Sequence, residues 1–324
     1  MPVNVTIQNR DKDAVPPATL DDFEQTGERR EGQKAFALWM LFIFVLVAGL
    51  YANPTTRVMG ILIFSWWLGC CIWYFYLLPR ELIKTLRLEQ SAYLISGTHQ
   101  PRLRETLAKS GRVLGMAAPE SYLLPAGEPQ IRAYFPPAFL TITQSALELV
   151  EPAELDCLIL RQIMHFRQKH VARLMMMQAL REAPLWQRLL SWPVVLYAFF
   201  LRMWWIDLAQ MSADRLTLLL VKNHKVISSA LLKQYAATDV TMSEYKITSA
   251  DVDSYMAQNG LISFEGQAIS TQYRLGQAIR ENPYLDERLH ALSNYAESEE
   301  FKIALQKLAD ARAKKNGAPV TAAK

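Results

Sequence analysis

The polar and ionisable residues able to do chemistry fall in two short stretches of otherwise apolar, helix-like sequence. The first carries Arg161, Gln162, His165 and His170, and the second carries Asp207, Gln210 and Asp214. Residues four apart on an α-helix share one face, so Arg161 and His165 point the same way. Imidazoles and carboxylates at that spacing hold divalent metal ions, and an adjacent carboxylate can take a proton from metal-bound water. Here those residue types do not make such a set. A guanidinium is always cationic and has no lone pair to give a metal. The amide of Gln162 cannot take a proton from water near neutral pH. Gln210 offers only a neutral amide oxygen, a poor zinc ligand. His165 and His170 are five apart, about 140° around one helix, and so are badly placed to share an ion. A rebuilt set of His165, Asp207 and Asp214 is the one alternative, since Asp207 lies one turn before Gln210 and Asp214 one turn after.

These residues need elements to position them. The chain has 324 residues, 51% of them hydrophobic, with a formal charge of +4 spread along its length. No basic block interleaved with aromatics appears, which argues against nucleic acid as a partner. Two uncharged apolar runs, Ala35 to Tyr51 and Val58 to Leu78, are each long enough to cross a hydrocarbon core of ~30 Å as helix. The short connection ANPTTR between them predicts a helical hairpin. Arg29, Arg30 and Lys34 precede it, and Arg80, Lys84 and Arg87 follow, so both ends are expected on the cytoplasmic side of a bacterial inner membrane. Residues 1–34 read as mostly disordered, with one short helix from Thr19 to Glu24, and residues 312–324 read as a disordered tail. Between them, 80–311 reads as the main domain. It is expected to hold a helix from Leu103 to Leu114, short strands at Tyr122–Leu124 and Phe139–Thr143, and one long helix from Glu151 through Glu182. Further helices are expected over Met211–Tyr235 and Leu285–Ala311. A third apolar run, within about 186–206, contains Arg202 and is expected to associate with the membrane as an interfacial, re-entrant or domain-packed helix, with a third full span starting near Trp186 as the alternative. Cys70, Cys71 and Cys157 show no bridging or metal-binding pattern.

From Ile131 to His170 the string IRAYFPPAFLTITQSALELVEPAELDCLILRQIMHFRQKH resembles the HtpX-like and CAAX-prenyl-protease-like membrane zinc metallopeptidases. In that family an exposed strand leads into a helix carrying H-E-x-x-H. Arg161, Gln162 and His165 fall on that motif, and His170 falls on a trailing histidine. Gln210 to Arg215 is similar to the family's E-x-x-A-D-R, which supplies the third zinc ligand. Asn282 to Leu289 is similar to a late H-P-x-x-x-x-R-I element, with Asn282 in place of its histidine. The resemblance spans roughly residues 80–295.

It implies an α+β, mostly helical, zincin-type domain with a small sheet behind the transmembrane hairpin. The zinc positions Arg161, Gln162, Gln210 and Asn282 depart from the family pattern, leaving only His165. The implied protein is therefore a pseudoprotease: a membrane-anchored binding, adaptor or structural subunit that works without a cofactor. Its expected partners are the bilayer and membrane proteins, or further copies of itself. Arg161 is expected to fill the vacated site, pairing with Asp214 or Asp207 and bonding Gln210 as a polar cross-link between two helices. The family's substrate groove would correspond to an exposed edge made by Ala133, Tyr134, Phe135, Leu140, Thr141, Ile142 and Thr143, where a peptide could add as a strand. The alternative reading is an active zinc metalloendopeptidase with a rearranged site, acting on membrane proteins.

Overall fold

Pro152 and Glu154 open the helix that organises the domain. Proline at a first turn gives up no intrahelical hydrogen bond. Glu154 reaches back to the Glu151 amide at 2.7 Å, closing a capping box. In the computed structural model, which describes residues 27–78, 80–81, 84–85, 92–125, 129–135, 137–238, 263–264, 267–268 and 285–315, this helix lies at the centre of a mostly helical fold.

The first described elements are α1 (Glu28–Ala52) and α2 (Arg57–Ile72), the latter continued by a π turn over Trp73–Leu77. Both are long and apolar enough to cross a membrane, and their flanks bear exposed Leu41, Phe44, Val58 and Leu62. The expected disorder over residues 1–34 does not hold for its last part. Helix α1 starts at Glu28, whose side chain is buried. The expected short helix at 19–24 lies outside the described residues, as does most of the 312–324 tail.

A four-stranded sheet follows: β1 (Tyr93–Leu94), β2 (Glu120–Leu124), β3 (Ile131–Tyr134) and β4 (Phe139–Thr143), in the order β1-β2-β4-β3. Between β1 and β2 runs α3 (Pro101–Val113), ending near Gly115, whose φ of 65° suits glycine. Strand β4 pairs parallel with β2 and antiparallel with β3. It is interior on both sides, and all five of its residues are buried. Leu140, Thr141, Ile142 and Thr143 are therefore not part of an exposed edge. Their amide and carbonyl groups face neighbouring strands, so they cannot take a peptide by strand addition. Of the residues expected there, Ala133 and Tyr134 lie on the edge strand β3 and Phe135 follows directly.

After the short α4 (Gln144–Leu149) come α5 (Pro152–Arg167) and α6 (Val171–Glu182). One helix from Glu151 to Glu182 was expected, but the chain turns between them, with Lys169 left-handed at φ 60°. Next are α7 (Leu185–Leu190) and α8 (Trp192–Trp204), which cover the third apolar run. α9 (Ile206–Val221) and α10 (His224–Thr238) are separated at Lys222, φ 61°, where a continuous helix was expected. α11 (Leu285–Glu297) and α12 (Glu299–Lys315) close the chain with a break at Ser298. A two-stranded ribbon, β5 (Ser263–Phe264) and β6 (Gln267–Ala268), completes the described elements.

Three cores divide the buried apolar side chains, the smallest around Tyr122, Tyr134, Phe139, Val171 and Met175 between the sheet and α6. The domain core joins Leu140 and Ile142 of β4 to Ile159 and Ile163 of α5, Leu219 of α9 and Leu289 of α11. A second core joins Trp39, Trp67 and Tyr74 of the hairpin to Tyr197 and Trp205 beside it. The hairpin is thus packed onto the rest of the molecule.

A buried ion pair ties α5 to α10. Glu154 accepts from Lys233 Nζ at 2.8 Å and from the Ser229 hydroxyl. Removing one partner of such a pair strands the other away from water. Glu154→Ala is expected to lower the unfolding free energy by about 3 kcal/mol in a denaturant titration, whereas Lys302→Ala, in an exposed pair with Glu299, changes it by under ~0.5 kcal/mol.

Candidate functional site

Helices α5, α9 and α11 converge on one carboxylate. Asp214 is wholly buried and accepts from two guanidiniums. Arg161 Nε donates to its Oδ1 at 2.6 Å. Arg288 donates Nε to Oδ2 at 2.8 Å and Nη2 to Oδ1 at 3.0 Å, a two-pronged grip. The Nη2 of Arg161 also donates to Gln210 Oε1. All four side chains are buried.

The local sequence explains this convergence. Arg161 stands on the face of α5 that turns toward α9, among the apolar positions Leu158 and Met164. Gln210 and Asp214 are four apart and so share one face of α9. Burial alone would raise the Asp214 carboxyl, but the guanidiniums of Arg288 and Arg161 outweigh it and hold the group below the ordinary carboxylate range. The arrangement closes on itself as a polar clamp between three helices.

Of the residues expected in a cross-link, Arg161, Gln210 and Asp214 come together. Asp207 does not; it lies on the exposed side of α9. Arg288 completes the cluster. It lies in the stretch Asn282 to Leu289, and its distance of 74 residues from Asp214 hides the pairing from sequence. Gln162 is half-buried beside the cluster, and Asn282 lies outside the described residues.

His165, one turn beyond Arg161, heads a second polar chain. The turn between α5 and α6 swings His170 back, so the two Nδ1 atoms are 3.1 Å apart. On one continuous helix the two histidines would lie on different faces; the left-handed Lys169 brings them together. His170 Nε2 lies 2.5 Å from Glu28 Oε1 at the head of α1. The Trp205 ring stands edge-on to His170 at 5.2 Å between centroids and carries Arg173 over its face. Gly32 is needed for this docking, since a Cβ there would sit 2.9 Å from Trp205. The first membrane helix is thus latched to the domain through Glu28, His170 and His165.

Burial, then Arg161, His170 and Arg288, push the His165 imidazole well below its usual 6.5. It is neutral at neutral pH. An unfolded chain protonates this histidine below pH ~6.5 while the folded chain does not, so stability is lost as pH falls through that value. The expected loss approaches ~1.4 kcal/mol for each further pH unit. Urea titrations between pH 7.5 and pH 5 check this: His165→Gln should lose less stability than the unaltered chain over that range. Equal losses would remove His165 as the cause.

The three cysteines are free. Burial raises the Cys157 thiol, which lies in the α5 core near Asp214 and Arg161 and is not set up as a nucleophile.

Near the domain end of α2, a shallow crevice is lined by Tyr74, Leu78, Tyr134, Met175, Gln178 and Glu182, among others. It opens beside the end of β3, where the Phe135 amide contacts Met175 Sδ at 3.0 Å.

Comparison of the chain with protein-family models, with curated proteins and with solved structures gave no match.

Proposed function

We propose that this chain is a catalytically inactive, metallopeptidase-like membrane protein that acts as a binding, adaptor or structural subunit. The observation that carries this reading is the saturation of Asp214 by Arg161 and Arg288, with Gln210 bonded to Arg161. The residues that the resemblance places at a zinc centre, Arg161, Gln210 and His165, lie together, as a shared origin of the site would require. Two guanidiniums there repel a divalent cation. The rearranged-peptidase alternative draws no support from Asp207, which is exposed, or from Asp214, whose oxygens are engaged.

In this reading the binding surface is the edge strand β3 with the crevice beside Tyr134. Both lie near Tyr74 and Leu78 of the second membrane helix, so the segment captured is one that leaves the bilayer at that level. The basic residues flanking the hairpin favour the cytoplasmic face of a bacterial inner membrane. The partner is another membrane protein or a second copy of the chain.

The test has two arms. Protein purified in mild detergent is analysed for bound metal and assayed for chelator-sensitive cleavage of casein and of membrane-protein substrates. Stoichiometric zinc with cleavage would overturn the proposal. Affinity purification from membranes then compares the unaltered chain with Ala133→Pro, which removes an edge amide without touching the buried cluster. The co-purifying membrane protein is expected to be lost with Ala133→Pro.

A further inference from the structure

We infer that α7 and α8, entered from the end of α6, form a re-entrant wedge. It enters the bilayer leaflet nearest the domain, presents its tip to lipid acyl chains, and leaves on the side from which it came. This holds whether or not the domain binds a peptide.

Depth is set by contacts with the hairpin. Helices α1 and α8 run antiparallel, with a ladder of paired residues between them. At the domain end Gly32 meets Trp205. Farther along, Trp39 stacks on Tyr197 at 4.6 Å, and its indole donates to the Pro193 carbonyl at 2.7 Å. Phe42 meets Trp192 at 6.2 Å. On the α2 side, Trp66 meets Trp192 at 6.3 Å, and Cys70 Sγ lies 3.9 Å from the Leu190 carbonyl. The uncharged run of α1 begins at Ala35. At 1.5 Å per residue, Phe42 is about 10 Å into it, within the roughly 15 Å of a single leaflet. The α7–α8 junction lies at that depth.

The tip suits that environment. Leu185 is 72% exposed, Trp186 64%, Leu189 66% and Leu190 54%. Four large apolar side chains out of six residues leave little for water to solvate. The one cation of α7, Arg188, folds back: its Nε donates to the Ala183 carbonyl at 2.8 Å and its Nη2 to the Arg181 carbonyl. These carbonyls end α6, where the helix dipole favours positive charge, which reduces the cost of holding a guanidinium at this level.

Neither α6 nor α8 alone is long enough for a third crossing. α6 has 12 residues and α8 has 13, about 18–20 Å each, too short for ~30 Å of hydrocarbon. After α8 the chain bends by 54° into α9, which carries Gln210 and Asp214 into the domain core. The domain therefore lies at both ends of the wedge.

The test uses the full chain in phosphatidylcholine–phosphatidylglycerol vesicles, with Cys70→Ala, Cys71→Ala and Cys157→Ala and a single added cysteine carrying a nitrobenzoxadiazole label. Leu189→Cys marks the tip, Phe42→Cys a reference depth, and His99→Cys and Asn223→Cys the domain before and after the wedge. Labels at 189 and 42 are expected to be quenched alike by doxyl-labelled acyl chains. Aqueous dithionite should reduce the 189 label at least about tenfold more slowly than the 99 label, because hydrocarbon excludes it. Labels at 99 and 223 should be reached from the same side. Equal reduction at 189 and 99, or labels at 99 and 223 on opposite sides, would overturn the wedge. If the cysteine-free chain fails to fold, Trp186→Phe in the otherwise unaltered chain decides: the lipid-quenched share of tryptophan emission should fall, and an unchanged share overturns the inference.

Discussion

Asp214→Ala is expected to lower the unfolding free energy by about 3–5 kcal/mol, because it leaves two buried guanidiniums without a counter-ion. At 2–4 °C per kcal/mol for a domain of this size, the melting temperature should fall by roughly 6–20 °C. Arg161→Met should cost less than half as much. It removes one cation and leaves Asp214 in the grip of Arg288, with apolar volume in place of the lost side chain. The order of the two variants is the informative part. If both melt like the unaltered chain, the cluster does not join α5 to α9 and α11, and the cross-link reading fails. Arg288→Met supplies the converse control and should resemble Arg161→Met.

The second large effect is a gain. The triple substitution Arg161→His, Gln162→Glu and Gln210→Glu would place two imidazoles, a carboxylate ligand and a base on the faces that meet between α5 and α9. Arg161 and His165 share a helix face, and Gln210 already touches the Arg161 side chain. Metal analysis should then find about one zinc per chain where the unaltered protein retains none after dialysis, since three such ligands complete a catalytic-type site. Zinc binding by the triple variant would make the resemblance to metallopeptidases a statement about geometry. Failure to bind zinc in a folded triple variant would confine it to sequence pattern.

How far the sequence revealed this molecule depended on whether each signal was local. The hairpin was legible because two charge-free runs of spanning length have few other uses. The pairing of Arg161 with Asp214 and Gln210 was legible because the resemblance set Arg161 and Gln210 at one site, with Asp214 one turn beyond. Arg288 could be placed in a motif but not in the cluster, because nothing local marks a partner 74 residues away. Glu28 stood in a polar stretch whose composition matches a solvated tail, so its burial against His170 was not visible. The break at Lys169 has no glycine or asparagine to announce a left-handed residue, and the histidine pair followed from it. Leu140 to Thr143 read as a strand, as they are, but short strands look alike at an edge and in an interior, so their position was misjudged.

The latch of Glu28 onto His170 has a consequence for how a partner is met. A domain on a loose tether sweeps a volume above the membrane and can reach for its target. Here the helix that enters the bilayer is already part of the domain's packed interior, with Gly32 fitted against Trp205 at its root. The domain is therefore carried at one height and one tilt. On the proposed function, its encounters would be set by sideways diffusion in two dimensions, with chains that present the right segment at that level of the lipid sheet.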